Sequence, residues 1–485
     1  MVRIKIFFCV AFVFFLLIGN GRTQDVLNPI NLSLTEAILI AIRDNPNVQT
    51  TQLNYVLQKF NLFVQEWQFY PHYSLQASAT LNRSGSPGQS ISNSHSYNMQ
   101  PGVSILTPIG TQIALNAANA KTSHYNPNIS TQITQPLMRG FGRAIVEAAL
   151  KNAMDAEVIA RLNIEDTLRT TVTDVINAYL DIVAANEAIR IDEKALERAM
   201  TSVKQTKLYI KAGHKAGNEL VTVKANVASA KSTLENDKNN LTQRQYALLT
   251  AIGIDPNQDI HFVGLNVREL IKKYHLPSLN EAKKLILANN ISYQTAQITL
   301  NGSTTRSLVT AIDNTRWQLN LTANAATGNG SGGGQSAGID SIFNGANQNQ
   351  SIGLQLQIPI DDQISKQAVL NAQVALKQAK IALKKQKWDI ETNAINGWNN
   401  VVSAERALRF AENAEKLQEK TYQISYQKYL HGLIDSLELQ TAQVQLIQEQ
   451  QVLLANQIAY LKSLVNLDLL IGHTLKTWGV TVRVV

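Results

Sequence analysis

The stretch from Ala144 to Lys211, AIVEAALKNAMDAEVIARLNIEDTLRTTVTDVINAYLDIVAANEAIRIDEKALERAMTSVKQTKLYIK, runs for 68 residues without a proline or a glycine. As one helix it would reach roughly 100 Å at ~1.5 Å per residue. Apolar residues recur at three and four spacing, as in Val172, Val175, Ile176, Tyr179, Leu180 and Val183, among many alanines. Such a stripe buries one face against neighbouring helices. No compact domain holds a helix of this length, so the spacing predicts an extended helical assembly.

A second stretch of this kind, Lys366–Leu430, holds only Gly397 as a potential break. Each long helix is followed by a glycine turn and a shorter returning helix, Asn218–Ile252 and Leu433–Ile471. Further helices open at Leu34 and Leu279, each with a capping box: Ser33 with Glu36, and Ser278 with Glu281. Two short helices end to end would match one long helix.

The chain repeats itself. Leu32–Leu53 and Pro277–Ile298 share 8 of 22 residues at a shift of 245, and Ile176–Arg190 and Ile395–Arg409 share 6 of 15 at a shift of 219. Two halves are expected, 25–275 and 276–485. The shrinking shift leaves roughly 25 extra residues in the first half, around Ser84–Lys121, as an external loop or a hairpin near the strands.

Between the helices lie segments of period two. In 317–325, Trp317, Leu319, Leu321, Ala323 and Ala325 share one face, with amides and hydroxyls on the other. Segments 351–360, 73–81 and 128–137 behave alike, and Val103–Ile105 with Thr111–Ala117 can add a hairpin. Gly- and Ser-rich stretches, Ser84–Ser94 and Thr327–Gln350, read as loops. A β-sandwich also alternates, but the strand length and the uncharged polar second face favour a lipid-facing barrel. Four to six strands cannot close one, since barrels need at least eight and lipid tolerates no open edge. Several chains must combine, and three chains of four strands would make a 12-stranded barrel. The expected fold class is therefore an α+β membrane protein: a homotrimeric β-barrel continued by a long α-helical barrel of antiparallel coiled coils.

Residues 1–24 read as an export signal: Arg3 and Lys5, then the apolar run Ile6–Ile18, too short to span a bilayer. Cys9, the sole cysteine, lies inside that run, so the mature chain has none, which fits an oxidising compartment. Removing Arg3, Lys5 and Arg22 lowers the net charge from +8 to +5. The remaining bases are spread along helices, so nucleic acid is not an expected partner. The chain has eight histidines but no metalloprotease, serine-hydrolase or phosphate-loop motif, and neither an enzyme nor a cofactor is expected.

The segments Leu32–Val48 (LSLTEAILIAIRDNPNV), Gln135–Arg143 (QPLMRGFGR) and Tyr429–Gln443 (YLHGLIDSLELQTAQ), in this order and with the duplication, resemble the TolC family of outer-membrane efflux proteins. The resemblance implies a homotrimeric channel-tunnel of the outer membrane reaching into the periplasm of a Gram-negative cell. It would serve a tripartite efflux or type I secretion system as a passive exit duct, docked to a periplasmic adaptor and an inner-membrane pump. The turns Lys211–Gly217 and Lys428–Gly432 would form the adaptor-docking tips, with Gly213, Gly217, His431 and Gly432. Gly217 and Gly432 are the residues expected to take the left-handed backbone of the reversals. By the family's spacing from Gly432, Tyr429 and Glu438 match a gate tyrosine and a pore acid. Ile434 and Thr441 stand where the family has an arginine and a second acid, and Val223 holds the related acid position of the first half. Asp435 is the substitute gate partner. A trimeric adhesin, with long helices and a barrel end, is the alternative; a duplication with strands in both halves argues against it. A general diffusion porin would have few helices.

Overall fold

The computed structural model describes residues 30–85, 87–88, 91–121, 125–256, 260–263, 274, 276–328, 342 and 348–480; the export signal lies outside them. In chain order, β1 (Ile30–Leu32), α1 (Leu34–Asp44) and α2 (Pro46–Trp67) lead into β2 (His72–Ser84), β3 (Ser92–Leu106), β4 (Gln112–Lys121) and β5 (Tyr125–Pro136). Next come α3 (Arg143–Val146), α4 (Ala148–Lys211), α5 (Glu219–Ile252) and β6 (Ile260–Phe262). The second half holds α6 (Leu279–Asn289), α7 (Ile291–Thr299), a π turn (Leu300–Thr304), α8 (Thr305–Asn314), β7 (Gln318–Gly328) and β8 (Asn349–Gln357). It closes with α9 (Gln363–Leu430), α10 (Ser436–Ile471) and α11 (Thr474–Thr477).

Helices α4 and α9, 64 and 68 residues long, reach about 95–100 Å. Gly397 does not break α9; its bare Cα leaves room for Leu470 and Leu467 of α10, where a Cβ would come within 2.8 Å of Leu470. The short helices are held by their caps. Ser33 and Glu36 form the reciprocal capping box, and the Ser278 hydroxyl accepts from the Glu281 N–H. The Asn45 and Asn290 side chains then cap α2 and α7.

Equivalent contacts recur in the two halves. One residue out of register, Asn45 Nδ2 donates to the Ala251 carbonyl at 2.6 Å, and Asn289 Nδ2 to the Ile471 carbonyl at 2.8 Å. Gln49 donates to the Arg43 carbonyl as Gln294 does to that of Ala288. The buried Tyr179 hydroxyl donates to the Leu32 carbonyl, and Trp398 Nε1 to the Pro277 carbonyl, at 3.1 and 3.0 Å. The main core surrounds Tyr179, where α1, α4, α5 and α10 meet beside the parallel pair β1–β6. A second, smaller core at Ala394 and Val401 joins α6, α9 and α10.

The other sheet is antiparallel, in the order β2-β3-β4-β5-β7-β8, and among the described residues corrects the expected four strands per chain to six. The extra residues of the first half are β3 and β4, a hairpin inside the sheet. The hairpin read at Val103–Ile105 with Thr111–Ala117 falls in β3 and β4; Pro101 and Gly102 interrupt the alternation of β3, and its first residues, SNSHS, are polar on both faces, so only its end reads as strand. Both supposed loops are also shorter, since β2 runs to Ser84, β3 starts at Ser92, and Thr327, Gly328, Asn349 and Gln350 lie in strands. The β3–β4 turn is anchored: Gly110, at φ +98°, has no room for a Cβ against the Gly140 carbonyl, and the Gly142 N–H donates to the Ile109 carbonyl at 3.1 Å. Gly140, also left-handed, donates to the buried Asp313 carboxylate at 2.7 Å. The QPLMRGFGR turn thus joins the sheet to α4 and the second half.

Candidate functional site: a two-faced sheet and a paired helical tip

Register converts each strand's alternation into two continuous faces. One carries Leu75 of β2, Val103 of β3, Leu115 of β4, Ile133 of β5, Leu321 of β7 and Leu354 of β8. The other runs Ser74–Gly102–Asn116–Ser130 across the first four strands and continues through Thr322 and Gly353. Arg83 and Lys121, near the ends away from the helices, are the only Lys, Arg, Asp or Glu residues in the six strands. An uncharged apolar face fits hydrocarbon, and an amide and hydroxyl face fits water. At the helix end of the sheet, Trp67, Tyr70, Tyr73, Phe141 and Trp317 are all exposed, a band of aromatics where apolar and wet surroundings meet. No described helix is long and apolar enough to cross a membrane.

At the far end of the long helices both reversals have the same backbone solution. Gly213 (φ +76°) and Gly432 (φ +71°) are the left-handed residues. His214 N–H reaches the Tyr209 carbonyl at 2.8 Å, and Leu433 N–H reaches that of Lys428 at 2.9 Å, the Schellman pattern. This corrects the expectation for Gly217, which is not left-handed. The short-range sequence around it shows a second glycine, but only the helix end at Lys211 tells which one must turn. The first-half position six residues beyond the turn glycine is therefore Glu219. Val223 instead lies buried in α5.

Tyr429 is fully buried between the two reversals. Its hydroxyl lies 2.9 Å from Thr206 Oγ1, its ring meets the Tyr209 ring edge-on at 5.9 Å, and Lys215 Nζ stands 4.0 Å from its ring centre. Lys215 also pairs with Glu219 at 3.1 Å. Neither residue was singled out from the sequence, because their spacing is that of an ordinary exposed helix pair. Asp435 does not join Tyr429; it caps α10, accepting from the Glu438 N–H at 2.8 Å. Glu438 and His431 are exposed. Each tip carries a groove beside its turn, one lined by Lys204, Lys207, Leu208 and Leu220, the other by Tyr422, Ile424, Lys428 and Leu433.

Above the tip, α4, α5 and α10 enclose a cavity of about 310 Å3 lined by Asp192, Asn226, Thr233, Gln440 and Gln443. Gln440 donates to Asn226 across it. Asp192 is 3% exposed, and its Oδ2 has no hydrogen-bond donor. Burial first, then the facing Asp237 carboxylate, push its pKa up to about 6. Among the described residues no cluster of His, Cys, Asp and Glu could hold a metal ion.

A two-faced sheet opening onto helices near 100 Å is an arrangement that solved structures of outer-membrane channels share. The chain shares the fold of the outer-membrane channel OprN, with a TM-score of 0.68 at 14% identity over 90% of this chain and 89% of that one. It is similar to the Campylobacter jejuni CmeC outer membrane channel (TM-score 0.66, 14% identity, 90% and 85% covered). It is also similar to the open state of the Neisseria gonorrhoeae MtrE outer membrane channel (0.67, 16%, 90% and 88%). Searched by sequence, it matches no curated protein. Residues 286–473 match the outer membrane efflux protein family.

Proposed function

We propose that three copies close their sheets into one barrel in the outer membrane and their helices into one tunnel through the periplasm. The assembly is a passive exit duct for substrates delivered by an inner-membrane pump through a periplasmic adaptor, in tripartite efflux or type I secretion. The observation that carries this reading is the sheet itself. It is apolar on one face, uncharged and polar on the other, unpaired at both edges, and continuous with helices about three times longer than a membrane core is thick (~30 Å). The recurrent Gln49/Gln294 and Tyr179/Trp398 contacts support a duplicated origin, with two helical hairpins per copy.

The tip is the reading's gate and docking end. Glu438, exposed in the first turn of α10, would form a ring of three carboxylates that attracts cations at the constriction. Tyr429 would act inside the chain, held by Lys215. The lysine-flanked apolar grooves beside Gly213 and Gly432 suit the adaptor. The test is single-channel recording of the purified protein in a planar bilayer, wild type against Glu438→Ala. We expect cation selectivity and block by multivalent cations in the wild type, both reduced in the variant. An unchanged selectivity ratio and unchanged block would remove Glu438 from the pore; absence of any channel would refute the duct.

A further inference from the structure

The lipid-compatible face of the sheet ends in bases. Arg83 follows Tyr73, Leu75 and Leu81 in the alternation of β2, and His95 of β3 stands opposite Leu81. Lys121 of β4 stands opposite Tyr97, itself opposite Ala79. All three therefore project from that one face, toward the end away from the helices, and all three are exposed. Each is the diagonal neighbour of the next across adjacent strands, a spacing of about 7–8 Å that long side chains span to meet on one group. No acid is at hand to neutralise them. Residues 68–146, which include β2 to β5, contain neither Asp nor Glu.

Depth along the strands places this row. Arg83 lies ten residues beyond Tyr73 and Lys121 eight beyond Ile113, both counted from the helix end. At ~3.4 Å per residue and a tilt of ~40°, those paths rise about 26 and 21 Å. The apolar band of a barrel is ~25 Å tall, so bases that start the count at the aromatic end finish it at the opposite headgroup level. Resting on the reading of the sheet as a wall in the outer membrane, we propose that Arg83, His95 and Lys121 bind the phosphate groups of an anionic lipid in the outer leaflet. The sign of the charge carries the assignment. A strand end that only had to reach water would be served equally by Asp or Glu, yet the whole stretch avoids both. The stems of Arg83 and Lys121 can lie along the apolar face while their heads reach the headgroups. The guanidinium matches phosphate oxygens two at a time, the ammonium adds a second charge, and His95 contributes a ring nitrogen between them.

Lipid binding by the purified channel tests this, with EDTA present so that no metal bridges lipid and protein. Three probes are titrated: lipid A carrying two phosphates, the same lipid A without phosphate, and inorganic phosphate. Native mass spectrometry reads the bound fraction, and a planar bilayer reads conductance of the same preparation. We expect the phosphorylated lipid to bind wild type about thirtyfold more tightly than Arg83→Gln/Lys121→Gln, at about fivefold for each basic residue. The phosphate-free lipid should bind both equally weakly. Equal binding of the phosphorylated lipid by wild type and variant, equal binding of the two lipids by wild type, or inorganic phosphate held as tightly as the lipid would overturn the assignment. If the glutamine pair gives no channels, the charge-keeping exchange Arg83→Lys/Lys121→Arg decides. A retained preference for the phosphorylated lipid then supports the site, and a lost one overturns it. Wild-type channels that conduct without any lipid preference leave the duct standing and remove this site alone; a wild type without channels refutes the duct.

Discussion

Lys215 and Tyr429 come from opposite halves of the chain and meet at the tip, where the ammonium lies over a fully buried ring. A partly desolvated cation–π contact contributes about 1–2 kcal/mol. Parting the two reversals would break it, so in the proposed gate it favours the closed arrangement. Lys215→Met is expected to raise the open fraction of single channels by about tenfold, the equivalent of ~1.4 kcal/mol. Open probability in a planar bilayer is the measurement, and an unchanged value would show that the contact persists when the tip opens. Asp192 makes a different prediction. Its folded pKa, about 6, lies above the ordinary carboxylate value, so the folded state holds its proton more tightly than the unfolded chain does. That stability is fully present below about pH 4 and is lost as pH rises through about 6. At pH 7.5 the charged carboxylate is a net cost on the order of 2 kcal/mol. Asp192→Asn should therefore melt higher than wild type at pH 7.5, and the gap should close at pH 4. A gap independent of pH would show that Asp192 is solvated or paired when charged.

Among the elements, the two reversals separate conformational need from mere glycine content. Gly432 is left-handed with open space around the position of a Cβ, so Gly432→Ala meets no clash and pays only the backbone term, about 1–2 kcal/mol. Gly217 is equally open but not left-handed, and Gly217→Ala should be neutral or slightly stabilising. Thermal unfolding of the two variants side by side checks this; equal losses would contradict the assignment of the turns. The π turn at Leu300–Thr304 shows the same logic under crowding. Gly302 departs from helical geometry (φ −91°, ψ −106°), and a side chain there would strike the Asp155 carboxylate that pairs with Arg306. That pair ties α8 to α4 just below the sheet.

For the whole molecule, the proposed duct has the aromatic band mark where the bilayer ends. Trp317 stands at the helix end of β7 and is exposed, whereas Trp398 is held against the Pro277 carbonyl. A variant retaining only Trp317, reconstituted in lipids brominated at graded depths, should be quenched most by bromines nearest the headgroups. A variant retaining only Trp398 should be quenched by none. Strong quenching of Trp398 would place the helices, not the sheet, in lipid.

Much of this was readable along the chain. The absence of glycine and proline from 148–211 set the helix length, Ser33 and Ser278 with their glutamates set the helix starts, and period two in 318–328 set the strand faces. Each of these is a pattern between residues a few positions apart, and local backbone physics suffices to produce it. The sixfold strand count, the choice of Gly213 over Gly217, Lys215 beneath Tyr429 and the unpaired Asp192 depend on partners brought together by tertiary packing. Pro101 and Gly102 weaken β3 by every local measure, yet β2 and β4 hold it in register from both sides. The sequence alone thus determined a long-helix, two-faced-strand protein with two glycine turns. Only the tertiary structure decided how many strands make its wall and which side chains hold its tip, because pairing energy is set by neighbours in space.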